Sequence, residues 1–303
     1  MIIELPNTTT TAINKKLNEL REQVGAGTTG RVLSLIIALD NDVLLDESIE
    51  AANIASQEHP SRVIVVVTED SDAPEARLDA QLRLFGDAGA GEVVVLRLFG
   101  PLAGHADSAV TPFLLPDIPV VAWWPDVAPE APARDPLGTL ALRRITDATN
   151  SPDPLAAIKS RRSGYTPGDT DLSWSRITYW RALLASALDQ PPFEPIRAAV
   201  VSGLATEPAL DILAGWLASR IDGPVRRAVG ELKIELTRDS ETVALSRPQD
   251  GVTATLSRTG KPPALVPLPR RVTAECLAED LRRLDPDAIY AEALAGLEEV
   301  EYP

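Results

Sequence analysis

The chain has 303 residues with 44 acidic and 29 basic side chains, a net charge of −15, so it is long enough for two domains. This acidity argues against general binding to nucleic acid or anionic membranes. A single cysteine, Cys276, excludes an internal disulfide, and two histidines leave too few ligands for structural zinc. With no secretory signal and no apolar run of about 18 residues, we expect a soluble cytoplasmic protein without a metal.

The first half alternates helical and strand patterns. Its strands are apolar on both faces. Such strands need helices on both sides of their sheet, which indicates an α/β architecture. A hairpin across Gly86–Gly91 makes this sheet mixed rather than purely parallel. Strands are expected at 31–39, 62–68, 78–85, 92–98, 119–124 and 143–149, and helices at 13–24, 42–57 and 104–115.

The second half changes to an α+β pattern. From Glu231 onward apolar and polar positions alternate between turn clusters at 238–241, 248–251 and 258–263, which predicts an antiparallel meander, and two helices close the chain. We expect Thr206 to cap the helix before the meander and Asp285 to cap the last helix. Two proline-rich or glycine-rich stretches, 125–136 and 163–171, are expected as surface loops. We place the domain boundary in the stretch 163–171. This gives an N-terminal α/β domain, residues 1–165, and a C-terminal α+β domain, residues 166–303.

No motif in the sequence specifies a catalytic site. Gly25, Gly27 and Gly30 have the spacing of a dinucleotide-binding turn, but they precede a strand instead of following one, so we interpret them as a connector. His59 is interpreted as a helix C-terminal residue and Cys276 as a core residue. A pair of catalytic carboxylates stays open, because 44 acids offer many pairs. We therefore predict a binding protein that is not an enzyme and has no cofactor.

Tryptophan, tyrosine and arginine are enriched at protein-protein hot spots and supply the candidate contacts. Successive strand side chains point to opposite faces, so we expect Trp123 or Trp124 to reach the surface at the strand end. The alternative is that the tryptophans fill a core poor in phenylalanine. The partner-binding candidates are Trp123, Trp124, Trp174, Arg176, Tyr179, Trp180 and Arg181.

A local basic patch is the second candidate surface in this acidic chain. Residues 151–303 hold 18 basic and 22 acidic side chains, whereas residues 1–150 hold 11 and 22. The alternative interpretation is a solvated helix face. The patch comprises Arg143, Arg144, Lys159, Arg161 and Arg162.

Five segments in order along the chain resemble the OpcA family, the glucose-6-phosphate dehydrogenase assembly proteins of high-GC Gram-positive bacteria and cyanobacteria. They are MIIELPNTTTTAINKKL at the start, HPSRVIVV at 59–66, LPDIPVVAWWPD at 115–126, RRITDAT at 143–149 and ITYWRALLASALD at 177–189. The resemblance implies a non-catalytic partner that binds the dehydrogenase as a hetero-oligomer and promotes its activity in the oxidative pentose phosphate pathway. The thiol control of cyanobacterial members does not transfer, because Cys276 alone cannot form an intramolecular disulfide.

Two further hypotheses remain at this stage. One is a sugar-phosphate-binding enzyme, such as a 6-phosphogluconolactonase-like hydrolase, in which the basic patch binds the phosphate and His59 or a carboxylate acts as base. The other keeps the assembly role and adds an allosteric metabolite near Gly25–Gly30.

Overall fold

The structure, a computed structural model, describes residues 1–24, 30–85 and 90–302. Contacts group the chain into two compact units, Met1–Asp147 with Thr273–Pro286, and Ala148–Val272 with Asp287–Pro303. The strands are β1 (Ile2–Leu5), β2 (Leu33–Leu39), β3 (Ser61–Thr68), β4 (Arg77–Leu84), β5 (Glu92–Phe99), β6 (Val120–Trp124), β7 (Arg143–Thr146), β8 (Asp169–Asp171), β9 (Ala198–Gly203), β10 (Val225–Val229), β11 (Lys233–Thr237), β12 (Thr242–Ser246), β13 (Thr253–Arg258), β14 (Ala264–Pro267) and β15 (Val300–Glu301). The helices are α1 (Thr10–Val24), α2 (Leu45–Glu58), α3 (Ala106–Val110), α4 (Pro136–Leu140), α5 (Pro154–Gly164), α6 (Leu172–Arg176), α7 (Thr178–Leu188), α8 (Pro208–Ala218), α9 (Thr273–Leu281) and α10 (Ala288–Gly296).

The strands of the first unit form a mixed sheet in the order β1-β4-β5-β3-β2-β6-β7. Strands β5, β3, β2, β6 and β7 are parallel to their neighbours, and β4 and β1 add antiparallel pairs at one side. Strands β2, β3 and β5 are buried almost throughout, as a sheet covered on both faces requires. The expected mixed sheet is confirmed, although residues 86–89 of the predicted hairpin lie outside the described ranges.

Helix α1 begins at Thr10, three residues before the start of the helix predicted at 13–24. The Thr9 hydroxyl accepts a hydrogen bond from the backbone N–H of Ala12 at 3.2 Å, which satisfies one of the free donors of the first turn. Ile13, Leu17 and Leu20 then pack into the core of the first unit and are at most 3 % exposed. The helical spacing of these residues therefore corresponds to the buried face of α1.

The second unit contains a sheet in the order β14-β13-β12-β11-β9-β10-β15. Antiparallel pairing from β11 to β14 confirms the predicted meander, and β10 pairs in parallel with both β9 and β15. Alternate residues of these strands enter one core, in which Val201, Ile234 and Leu236 are fully buried. Helix α8 packs against β9 and β10, with α5 and α10 packed on α8.

The contact-based units differ from the boundary expected at residue 165. Helix α5 packs against α8 and α10, and its Ile158 is fully buried in the second core. Helix α9 packs on α2 of the first unit, where its Asp280 accepts a hydrogen bond from Arg143 at 2.7 Å. The boundary at residue 165 rests on a loop-like stretch of sequence. The contact-based units instead follow the packing of α5 and α9, which bury their faces against elements that are distant in the sequence.

Both predicted caps of the second half are wrong. Glu207, not Thr206, occupies the cap position of α8, because Pro208 fits the first helical position with its fixed φ. For α10 the cap is Asp287, not Asp285: its carboxylate accepts hydrogen bonds from the backbone N–H groups of Ile289 at 2.9 Å and Tyr290 at 3.1 Å. Burial of the Tyr290 ring in the second core sets this register.

A buried carboxylate joins α1 to the amino ends of the parallel strands. Glu92, 5 % exposed, forms ion pairs with Arg21, with Arg31 at 3.1 Å and with Arg62 at 3.4 Å. Burial alone would raise the pKa of Glu92, but the hydrogen bond from Arg21 and the three positive charges lower it overall. Burial and the neighbouring arginines lower the pKa of Arg62 to about 10.

Replacing Glu92 by glutamine is expected to lower the free energy of unfolding at pH 7 by about 3–5 kcal/mol, because it leaves crowded guanidinium groups without their counter-charge. Since the pKa of Glu92 is lower in the folded than in the unfolded state, its contribution is present above the unfolded value and is lost as the pH falls through the folded value. Urea denaturation of both proteins across this acidic range measures the difference.

The matched control is Glu58→Gln. Glu58 is 57 % exposed and pairs with Arg282 at 3.1 Å, so its loss is expected to change stability by less than about 1 kcal/mol. Equal effects of the two substitutions would contradict the assigned role of Glu92.

Candidate functional site

A crevice of about 420 Å³ lies at the carboxyl ends of β2, β3 and β6. Strand order reverses here, because β3 lies on one side of β2 and β6 on the other, and such reversal points are where α/β sheets place ligands. We call it the strand-end crevice. Its lining residues are Ala38, Leu39, Asp40, Val66, Thr68, Ala103, Gly104, Ala106, Trp124, Val127, Ala128, Pro129, Asp135, Pro136 and Leu137.

Two carboxyl groups give the strand-end crevice its electrostatic character. Asp40 follows β2 directly, and Asp135 caps α4 by accepting hydrogen bonds from the backbone N–H groups of Leu137 at 2.9 Å and Gly138 at 3.4 Å. Burial raises the pKa of both carboxyls, and the charges of Asp126 and Asp135 raise that of Asp40 further. The crevice is therefore suited to accept hydrogen bonds from hydroxyls or to bind a cation, and it disfavours an anion.

This position differs from a dinucleotide-binding turn. Such a turn places glycines between a strand and the helix that receives the pyrophosphate, but here Asp40 follows β2 and α2 begins at Leu45. Gly25 and Gly27 lie outside the described residues, and the described Gly30 precedes β2. The metabolite site hypothesised near Gly25–Gly30 therefore stays a hypothesis.

Sequence reasoning missed both carboxyls of the strand-end crevice. Asp40 directly follows the predicted strand 31–39, and Asp135 with Pro136 has the cap-plus-proline pattern of a helix start. We expected residues 125–136 to form an extended surface loop. That expectation is wrong at its end, where Pro132 is buried and Asp135 begins α4.

The structure buries the tryptophan pair of β6. Trp123 is 1 % exposed and Trp124 is 4 % exposed, although Trp124 lines the strand-end crevice. The expectation that one of them reaches the surface is wrong, because helices cover both faces of this parallel sheet. The alternative interpretation as core residues accounts for this pair.

The second aromatic cluster is also mostly buried. Trp174, 4 % exposed, donates its ring N–H to the carboxylate of Asp287 at 2.9 Å, and the Arg181 guanidinium stacks on its ring at 3.4 Å. Trp180 is 5 % exposed, whereas Tyr179 is 48 % exposed. Tyr179 is therefore the exposed aromatic candidate, and the Arg271 guanidinium lies 5.0 Å from its ring centre.

Arg176 belongs to this cluster as well. It donates a hydrogen bond to the Thr149 hydroxyl at 3.0 Å. Together with Trp180 it lines a small pocket of the second unit that contains further arginines.

The basic patch is not a continuous cationic surface. Arg143 and Arg144, 4 % and 7 % exposed, are buried in the first unit, and Arg143 pairs with Asp280. Arg144 donates to the carbonyl of Ala141 at 2.9 Å. The interpretation as a solvated helix face does not hold for these two, because both lie on the buried strand β7.

The remaining patch residues lie on α5. Arg161 is buried and donates to the carbonyl of Ala157 at 3.3 Å, and Arg162 is exposed and pairs with Glu298. The Lys159 ammonium lies 5.0 Å from the ring centre of Tyr302. These local contacts occupy the charges that the sequence suggested as a phosphate site.

His59 and Cys276 occupy the structural positions expected from the sequence. His59 ends α2, and its backbone N–H donates to the carbonyl of Ala55, which confirms the C-terminal role. Cys276 is fully buried in α9, which confirms it as a core residue.

Burial raises the pKa of Asp211 to about 6, but this carboxyl faces Arg227 at 3.3 Å inside the second core.

The described part of the chain contains no group of three or more histidine, cysteine or acidic side chains that could hold a metal ion. Among the helices of the described ranges, none combines the length and apolar character needed to cross a bilayer.

Replacing Asp40 by asparagine is expected to raise the melting temperature at pH 7, because it removes a partly desolvated charge that Asp126 and Asp135 repel. The raised pKa means that the folded state holds the proton longer, so wild-type stability falls as the pH rises from the unfolded to the folded value. The gain should therefore vanish in acid below this window. Thermal unfolding of the variant and of the exposed control Asp72→Asn tests this, and a gain that is independent of pH would contradict it.

Comparison with solved structures finds distant likenesses. An oxidoreductase from Sinorhizobium meliloti has a TM-score of 0.47 at 9 % identity, covering 89 % of this chain and 95 % of that one. An aldose-aldose oxidoreductase from Caulobacter crescentus has a TM-score of 0.47 at 13 % identity, covering 88 % and 95 %. A glucose-6-phosphate 1-dehydrogenase from Mycobacterium avium has a TM-score of 0.40 at 10 % identity, covering 89 % and 93 %. These likenesses carry no argument about activity.

Family models give a more specific result. No curated protein matches the sequence. A model described as the glucose-6-phosphate dehydrogenase subunit N-terminal domain matches residues 52–163, and one described as the C-terminal domain of that subunit matches residues 167–294. Because the two matches follow each other in order over most of its length, the chain belongs to the OpcA family of glucose-6-phosphate dehydrogenase assembly proteins.

Proposed function

We propose that this protein is a non-catalytic assembly factor and allosteric activator that binds glucose-6-phosphate dehydrogenase as a hetero-oligomer in the cytoplasm. The observation that carries the proposal is the match of both halves of the chain to the domains of a dehydrogenase subunit. No cofactor is part of this role.

The strand-end crevice supports a role without catalysis. Its two carboxyls occupy the region where a nucleotide-binding sheet places glycines and helix N–H groups. A negative crevice of this kind disfavours the phosphates that NADP and sugar phosphates carry. The hydrolase hypothesis has no support from the comparisons, and the ion pair of Arg143 with Asp280 uses one of the guanidinium groups that it requires.

The sheet of the second unit offers a flat surface for the dehydrogenase. Its side chains alternate, so the residues opposite to the buried core form a second face. Strand register aligns Val200 with Glu235, Ala244 and Ser257, and the neighbouring row places Ser202 beside Lys233. We call this the open sheet face and define it by Val200, Ser202, Ala244, Ser246, Thr255 and Ser257.

Short side chains make the open sheet face suitable for docking. Its defining residues are short and, except for Ala244, partly exposed. The same rows also carry Lys233 and Glu235, which form an ion pair with each other. Ordering such residues costs little conformational entropy, and a flat face lets another sheet or helix approach closely. We therefore propose this face as the contact surface for the dehydrogenase, with Tyr179 as a secondary contact. The seven sequence-based contact candidates stay a prediction, with less weight on the buried tryptophans.

Activation requires more than association. A partner raises enzyme activity only if it binds the active conformation or oligomer more tightly than the inactive one. The proposed complex must therefore change the dehydrogenase's kinetics and its size distribution together.

Mixing the purified chain with its cognate dehydrogenase at micromolar concentrations is expected to give a co-eluting complex and a higher kcat/KM for glucose 6-phosphate. Size-exclusion chromatography with light scattering measures the first quantity and steady-state kinetics the second. Absence of both effects would contradict the proposed function, and turnover of 6-phosphogluconolactone by the chain alone would favour the hydrolase.

The surface assignment is tested by Thr255→Arg, which places a long charged side chain on the open sheet face. We expect at least about a tenfold weaker complex, because a desolvated guanidinium without a partner costs more than about 1.4 kcal/mol. Ser71→Arg, at an exposed position of the first unit, is the matched control and should bind normally. Equal affinities of the two folded variants would place the interface elsewhere.

A further inference from the structure

A second pocket lies entirely within the second unit. It has a volume of about 70 Å³ and is bounded by α6, α7, the start of α8 and the segment that follows β14. We call it the arginine pocket. Its charged lining residues and its tryptophan are Arg176, Trp180, Glu207, Arg247, Arg270 and Arg271.

The charge of the arginine pocket is opposite to that of the whole chain. Four guanidinium groups line it, whereas the net charge of the protein is −15. Glu207 is the carboxylate among the lining residues, and it lies 3.5 Å from Arg270. The lining therefore carries a surplus of positive charge.

Arg247 provides a buried donor without an acceptor. This residue is 6 % exposed, and its Nη1 donates to the carbonyl of Leu268 at 2.6 Å. Its Nε has no hydrogen-bond partner. Burial and the charge of Arg270 lower the pKa of Arg247, while Glu207 opposes this. A buried donor of this kind gains stability when an anionic oxygen accepts its hydrogen bond.

The walls and the size of the pocket restrict the ligand. Trp180 flanks the Arg247 guanidinium, whose centre lies 5.4 Å from the ring centre, and Leu210 and Leu232 add apolar walls. Low polarity around the charges strengthens their attraction to an anion. A volume of about 70 Å³ suits one tetrahedral oxyanion rather than a whole nucleotide, since a water molecule takes about 30 Å³.

Guanidinium groups pair with phosphate through parallel N–H donors, which makes phosphate the best chemical match for this pocket. We propose that the arginine pocket binds the phosphate group of a small phosphomonoester, whose remaining part projects from the pocket mouth beside Arg270. This binding is a property of the chain itself and goes beyond the proposed association with the dehydrogenase.

The test is isothermal titration of the full chain, without the dehydrogenase, with inorganic phosphate, glucose 6-phosphate and glucose. We expect both phosphates to bind with a Kd of about 1 mM or tighter and glucose not to bind. Equal affinity for the two phosphates assigns recognition to the phosphate alone, whereas tighter binding of the ester adds contacts at the mouth. Phosphorus NMR line broadening provides an independent readout of the same binding.

Two matched substitutions locate the site. Arg270→Gln removes a guanidinium whose side chain is 55 % exposed and paired with Glu207, so the variant should fold. Arg197→Gln removes one that is 58 % exposed and paired with Asp239, outside the lining of the arginine pocket. We expect about tenfold weaker phosphate binding for the first variant and no change for the second, because only the first removes a guanidinium that can donate to the phosphate. Arg247→Lys, which keeps the charge and removes Nε, should also weaken binding.

Three results would overturn the inference. They are no detectable binding of either phosphate at ~10 mM, equal losses in the Arg270 and Arg197 variants, and binding of glucose as strong as that of its phosphate ester. Because these measurements omit the dehydrogenase, their failure leaves the proposed assembly function standing. Failure of the dehydrogenase to bind would equally leave the phosphate site standing.

Discussion

Complete burial of the central parallel strands is the constraint on which the first unit depends. Strands such as β2 and β3 have no polar face, so their side chains must be covered on both sides, and α2 packs with α9 as part of that cover. The covered sheet leaves its strand ends free, which is where the strand-end crevice forms. The same burial removes Trp123 and Trp124 from the surface and makes them part of the core.

The second unit is built differently, because the side chains of its strands alternate between a buried and an exposed face. One face, with Val201, Ile234 and Leu236, is buried. The opposite face carries mostly short side chains together with Lys233 and Glu235, and it remains partly exposed. Charge is also segregated locally: carboxyls line the strand-end crevice, and guanidinium groups line the arginine pocket. A net charge of −15 therefore describes neither site.

Much of the architecture could be predicted from local patterns. Apolar runs such as 31–39 locate buried strands, and the alternation from Glu231 onward locates the meander. These predictions succeed because the periodicity of a segment depends on its own burial. Caps two residues apart, Asp285 and Asp287, could not be separated in this way, since the packing of Tyr290 decides between them.

Composition and motif order by themselves determined an acidic chain without a recognisable catalytic motif, and five segments in register indicated its family. Only the tertiary structure decided which charges remain available. It buries Arg143 against Asp280, brings Asp40 near Asp135, and gathers arginines that are separated by up to 95 positions, Arg176 and Arg271, around one pocket. The physical reason is that the neighbours and the exposure of a charged side chain decide whether it can interact with a ligand or partner. Both depend on contacts between segments that are distant in the sequence.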